Sequence, residues 1–139
     1  MIRSGIILFF VSVFSFLVCA CTTDTNDRLE GKWQLRQIEF GGQTVTVDTA
    51  FYNFQTSLFM YQIYVAEMDT MRYSYGFKEL VDDNKLELEL TTISDKNPAS
   101  EFVKLTDWNG LKETFVIEKI TGSQLILTRE NKRYIFRKF

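Results

Sequence analysis

The side chains that could do acid–base chemistry in this sequence are carboxylates. Asp82 and Asp83 stand together, and Glu87 and Glu89 follow two residues apart. A carboxylate pair works as general acid and base when it is enclosed and its two pKa values are driven apart. Here Asp82-Asp83-Asn84 reads as a turn, and Glu87 and Glu89 fall on the wet side of an alternating run, so neither pair is expected to be enclosed. The same three residues offer oxygens to calcium, but their spacing is not that of a calcium-binding loop, and no metal is expected. Ser74, Ser94, Ser100 and Ser123 have no base to activate them, because the chain has no histidine. That absence removes Ser-His-Asp and Cys-His catalysis, His-ligated zinc and an imidazole pH switch. Gly41-Gly42 has no helix after it and reads as a hairpin turn, not a phosphate cradle. No catalytic residue and no cofactor is expected, and the reading is of a protein that is not an enzyme. Sixteen basic against eighteen acidic residues give a net charge of −2, which argues against a nucleic-acid partner.

The N-terminal segment carries a different chemistry. Arg3 precedes an uncharged apolar run, Gly5 to Ala20, about 24 Å long as a helix and short for a bilayer core. A charged start, an apolar centre and a small terminal residue describe an export signal. Val18-Cys19-Ala20-Cys21 resembles the lipobox of bacterial lipoproteins. The resemblance implies cleavage after Ala20 and acylation of Cys21, with membrane attachment through the acyl chains. An ordinary secretory signal and an uncleaved membrane helix are the alternatives. Thr22 after the lipidated cysteine, where Asp would favour inner-membrane retention, implies the outer membrane. Two or more acyl chains, at ~0.8 kcal/mol per buried CH₂, make such an anchor stable. Cys19 leaves with the leader, so no thiol remains for a disulfide in the folded part. The expected organisation is a signal peptide over 1–20, a flexible polar tether over 21–28, and one domain over 29–139.

That domain reads as consecutive strands. Residues 85–92 alternate strictly, with Leu86, Leu88 and Leu90 on one face. The run 71–80 sets Met71, Tyr73, Tyr75 and Phe77 on one side and pairs with it as a hairpin. Strands follow at 113–120, 124–130 and 133–139, separated by short turns that force antiparallel neighbours. Earlier, 31–40 is a strand, 44–47 a short one, and 52–65 a long apolar run favouring strand by its β-branched and aromatic content. Asn97-Pro98 starts a short helix near 98–105, with Phe102 and Leu105 on one face. About eight antiparallel strands remove their edges by closing into a barrel, which makes the fold all-β. A β-sandwich is the alternative.

Leu29-Glu30-Gly31-Lys32-Trp33 is similar to the opening strand of lipocalin-like domains, through Gly31-x-Trp33. The ending, with Phe115, Ile117 and Ile120, then Leu125 and Leu127, then Phe136-Arg137-Lys138-Phe139, resembles small lipocalin-like lipoproteins of gut Bacteroidota. The resemblance implies an antiparallel up-and-down lipocalin-like barrel on a lipid tether. It also implies that Arg137 closes the barrel over Trp33. The disulfide usual in the family has no counterpart here, and the chain is short for a lipocalin.

Two functions are compatible with such a barrel. The first is a binding module for a small hydrophobic ligand, gripped by Phe59, Tyr61, Tyr73, Tyr75 and Leu88 under the helix as a lid. The second is an interaction or accessory protein of the envelope, its core packed by its many rings and its outer surface meeting a protein partner. That reading predicts an exposed apolar patch near Trp108 and the run 52–65.

Overall fold

The computed structural model describes residues 24–139. The leader and Cys21 lie outside them. Eight strands, β1 (Gly31–Phe40), β2 (Gln43–Gln55), β3 (Leu58–Val65), β4 (Thr70–Leu80), β5 (Lys85–Thr91), β6 (Lys112–Ile120), β7 (Gln124–Arg129) and β8 (Lys132–Lys138), pair in sequence order. β8 closes on β1, giving one antiparallel barrel. A helix, α1, covers residues 24–29, and a second, α2 (Ala99–Val103), lies in the connection from β5 to β6.

Alternation sets the faces. Trp33 and Leu35 of β1, Tyr52 and Phe54 of β2, and Phe59 and Tyr61 of β3 point inward. So do Leu86, Leu88 and Leu90 of β5, Phe115 and Ile117 of β6, Leu125 and Leu127 of β7, and Tyr134 and Phe136 of β8. β4 is the exception. Its inward positions are Arg72, Ser74, Gly76 and Lys78, and its aromatic side faces out. Gly76 is fixed by contact: a Cβ there would lie 1.7 Å from the Glu89 carbonyl oxygen of β5.

The apolar run 52–65 is a hairpin and not one strand. Phe54 pairs with Phe59 and Gln55 with Leu58, across a turn in which Thr56 takes φ 53°. The polar Gln55-Thr56-Ser57 interrupts the run where the chain reverses. The expected short strand 44–47 continues into β2, which bends at Asp48 (φ 59°) opposite a bulge between Leu35 and Gln37. The Asp48 carboxylate pairs with Arg36 at 2.8 Å at that bend.

The expected tether 21–28 is structured from Asp24 onward. An Asp24–Arg28 pair at 3.1 Å spans one helical turn of α1, Asn26 accepts from Lys78 at 3.3 Å, and Leu29 is fully buried. A polar segment with its one apolar residue at the end is held by that plug and by its partners on the barrel. Among the described residues no helix is long and apolar enough to cross a membrane.

Candidate functional site

The residues expected to grip a ligand separate onto two faces. Phe59, Tyr61 and Leu88 are inside and buried. They are packed among other side chains, and Phe59 also reaches the edge of a shallow groove that it shares with Tyr75. The Tyr52 ring lies 4.6 Å from Tyr61, 4.8 Å from Phe136 and 5.2 Å from Phe59, with Phe54, Phe115 and Trp108 at 6.3–6.4 Å. Trp108 stacks on Phe59 at 6.0 Å and donates its Nε1–H to the Tyr52 hydroxyl at 3.1 Å. Burial raises the pKa of both Tyr52 and Tyr61, so each stays a neutral phenol. Trp108, expected near an exposed patch, is therefore a core residue.

One mouth is closed by α2 and the loop after it. Phe102 is buried and meets the Tyr61 ring at 5.4 Å. Leu105, expected on the same face, is exposed, because α2 ends at Val103. Beyond it a polar knot pins the loop to β7 and β8. The Arg129 Nη2 donates to the Asp107 carbonyl and to the Tyr134 hydroxyl, each at 3.0 Å. Tyr134 in turn donates to the Asp107 carboxylate at 2.6 Å, and Glu113 lies 3.4 Å from Arg129 Nη1. Burial, then the hydrogen bond to Asp107, raises the Tyr134 pKa.

The other mouth is closed around Trp33. Its Nε1 donates to the Leu29 carbonyl at 2.8 Å. Arg137 does not cover it. Strand parity turns Arg137 outward, where it donates to the Gln34 side chain at 3.0 Å, and turns its neighbour Lys138 inward. Lys138 Nζ sits 4.5 Å from the Trp33 ring centre and donates to the Glu30 carbonyl. Gly31 permits this approach: it takes φ +112°, and a Cβ there would lie 2.6 Å from Lys138 Nζ. Lys78, also buried at this end, has its pKa lowered by burial. Arg129, Lys78 and Lys138 were absent from the expected site. Their signal was parity, since Leu125-x-Leu127-x-Arg129 places a charge on an inward position.

Tyr73 and Tyr75 lie on the outside of the wall. Their rings meet edge to face at 5.6 Å, and each is 44% exposed. Across the ladder Leu58 pairs with Phe77, Met60 with Tyr75, Gln62 with Tyr73 and Tyr64 with Met71. These eight outward positions of β3 and β4 carry no charge, and Leu58 and Phe77 are 52% and 53% exposed. At ~150–250 Å² per ring, Tyr73, Tyr75 and Phe77 alone leave roughly 200–350 Å² of aromatic surface in water. That is about the size of the largest apolar patch on a typical monomer, which is often functional. Shallow grooves flank Tyr75. One of about 240 Å³ is lined by Tyr73, Thr91, Ile93, Ser94 and Asn97, and one of about 130 Å³ by Asn53, Gln55, Leu58, Phe59 and Met60. Both open to solvent on the outer wall, and both are smaller than a typical small-molecule pocket of ~300 Å³ or more.

The carboxylates expected to be solvated lie at the surface, and two of them make contacts there. Asp82 accepts from the Asn84 amide at 3.0 Å, as a turn residue does, and Glu87 lies 3.7 Å from Lys112. Among the described residues no group of three or more acidic, cysteine or histidine side chains could hold a metal.

The profile of the lipocalin-like domain family matches residues 14–139. A crystal structure of a lipocalin-like protein from Bacteroides uniformis superimposes with a TM-score of 0.70 at 32% identity, over 81% of this chain and 99% of that one. An uncharacterised protein from Bacteroides eggerthii superimposes with a TM-score of 0.66 at 27% identity, over 80% of this chain and 99% of that one. No curated protein matches the chain. With its closed eight-stranded barrel and a profile match across nearly its whole length, the chain belongs to the lipocalin-like domain family.

Proposed function

We propose that this protein is a non-catalytic lipoprotein of the cell envelope, anchored in the outer membrane through Cys21, whose barrel is a packed scaffold and whose outer surface does its work. The filled interior carries the reading. Phe59, Tyr61 and Leu88 occupy with Tyr52, Trp108 and Phe115 the space that a calyx ligand would need. The two carboxylates nearest the interior, Asp107 and Glu113, are held by Arg129, and the polar groups deepest in the barrel are the neutral phenols of Tyr52 and Tyr61, which offer no poised acid–base pair. The uncharged stripe from Leu58 and Phe77 to Tyr64 and Met71 on β3 and β4 is the surface available for contact. Its rings are held by the barrel without cost in flexibility, which favours binding of a flat apolar surface.

Native mass spectrometry of the full chain purified from its own host tests this reading. The expected mass is that of the polypeptide from Cys21 onward plus its acyl chains, with no small molecule retained. A retained small apolar mass would return the function to the interior.

A further inference from the structure

Resting on the reading that Cys21 is acylated, we propose that the outer wall of β3 and β4 lies against the same bilayer that receives those acyl chains. Cys21 stands three residues before Asp24, a reach of at most ~11 Å in any conformation. α1 begins at the barrel end where the wall begins. Asn26 is hydrogen-bonded to Lys78, the residue next to Phe77 in β4, and Glu30 accepts from the Thr56 amide in the turn that leads into Leu58. Lys78 points into the barrel mouth, so α1 lies across the end of the barrel at which Phe77 and Leu58 face outward; the anchor hangs from that end, and the domain has no long leash by which to stand away from the membrane. From that end the uncharged stripe runs up β4 through Tyr75 and Tyr73 to Met71, roughly 20 Å at ~3.3 Å per residue.

The chemistry fits the boundary between headgroups and acyl chains. Tyrosine is enriched at that depth because its ring is apolar and its hydroxyl is wet, while Phe, Leu and Met supply apolar area. The opposite wall is unlike it. Arg133 and Arg137 of β8 and Arg36 of β1 project outward there, whereas the charges bordering the stripe, Glu79 on β4 and Glu89 opposite Phe77 on β5, gather at its anchor end, where headgroups would meet them. The wall contact adds to the acyl anchor and fixes the orientation of the domain, leaving the charged side to face the aqueous compartment.

Site-directed spin labelling of the full acylated chain, in vesicles of phosphatidylethanolamine and phosphatidylglycerol, tests the proposal. With Cys19 removed with the leader and Cys21 acylated, the introduced thiol in Phe77→Cys, Tyr73→Cys or Arg137→Cys is the one labelled. Oxygen and nickel-complex accessibility should place the labels at 77 and 73 roughly 5–10 Å inside the headgroup boundary, with the label at 137 in water. Position 137 lies at the same barrel end as 77 but on the opposite wall, so it separates a domain on its side from one standing on its end. A label at 77 as water-accessible as that at 137, in protein whose mass shows the acyl chains, overturns the wall contact and leaves the anchor intact. Depth at 77 with 73 in water also overturns it. Spin–spin broadening between labels at 77 on two copies would assign the wall to a second copy instead. A mass without acyl chains removes the anchor, and this inference falls with it.

Discussion

Replacing Tyr52 by alanine is the sharpest perturbation of the packed interior. Its ring is wholly buried at the centre of the cluster formed by Phe54, Phe59, Tyr61, Trp108, Phe115 and Phe136. Removing a buried ring of this size costs ~3–5 kcal/mol, because rigid walls collapse only partly into the gap. At roughly 4 °C per kcal/mol for a domain of this length, Tyr52→Ala should lower Tm by ~12–20 °C. Tyr52→Phe separates the hydroxyl from the ring. It leaves the Trp108 N–H without its acceptor and should cost ~1–3 kcal/mol while creating no void. The void in Tyr52→Ala, on the order of 100 Å³, is large enough for a benzene-sized guest. Calorimetric melts with and without benzene should therefore show a rise in Tm for Tyr52→Ala alone. Stabilisation of the wild-type protein by benzene, or a Tyr52→Ala melt within a few degrees of wild type, would refute the argument that rings fill the barrel.

Three further substitutions follow from other contacts. Gly76→Ala should destabilise by ~3 kcal/mol or more in a denaturant melt, because its Cβ meets β5 backbone that cannot swing aside. Arg129→Met should cost ~3–5 kcal/mol, since it leaves the Glu113 carboxylate without its cation while Asp107 keeps Lys132 at 3.1 Å, and Glu113→Gln should recover part of the loss in the double variant. Burial holds the Lys78 pKa below its ordinary value, so the unfolded chain retains a proton that the folded one releases, and Lys78 contributes stability that rises with pH between its lowered folded value and ~10.4. Lys78→Met should flatten that rise relative to wild type in urea melts across pH 7–10, and an unchanged slope would contradict the assignment.

Strand order and the hairpins from β4 to β8 were legible because alternation and short turns act locally. Leu86, Leu88 and Leu90 are one such case, and all three are buried. The direction of an alternating face is not local. Met71, Tyr73, Tyr75 and Phe77 share a side as expected, but apolar character alone pointed that side inward. It faces out because the rings of β2 and β3 already occupy the interior, and because β5 backbone crosses so close that only glycine fits at position 76. The Trp33 partner shows the same limit at one-residue resolution. A cation at the chain end was expected over the indole, and parity gives that place to Lys138, with Arg137 outside. The run 52–65 gave no Gly or Pro signal for its turn, since Thr56 takes the positive φ.

The proposed function stands on a barrel filled by its own side chains. A crystal structure of the protein purified from its native host, with no ligand added, tests it most directly. Continuous contact among Tyr52, Phe59, Tyr61 and Trp108 is expected, with no other density inside the wall. Density for a bound molecule between those rings, with Phe59 or Tyr61 displaced to admit it, would contradict it.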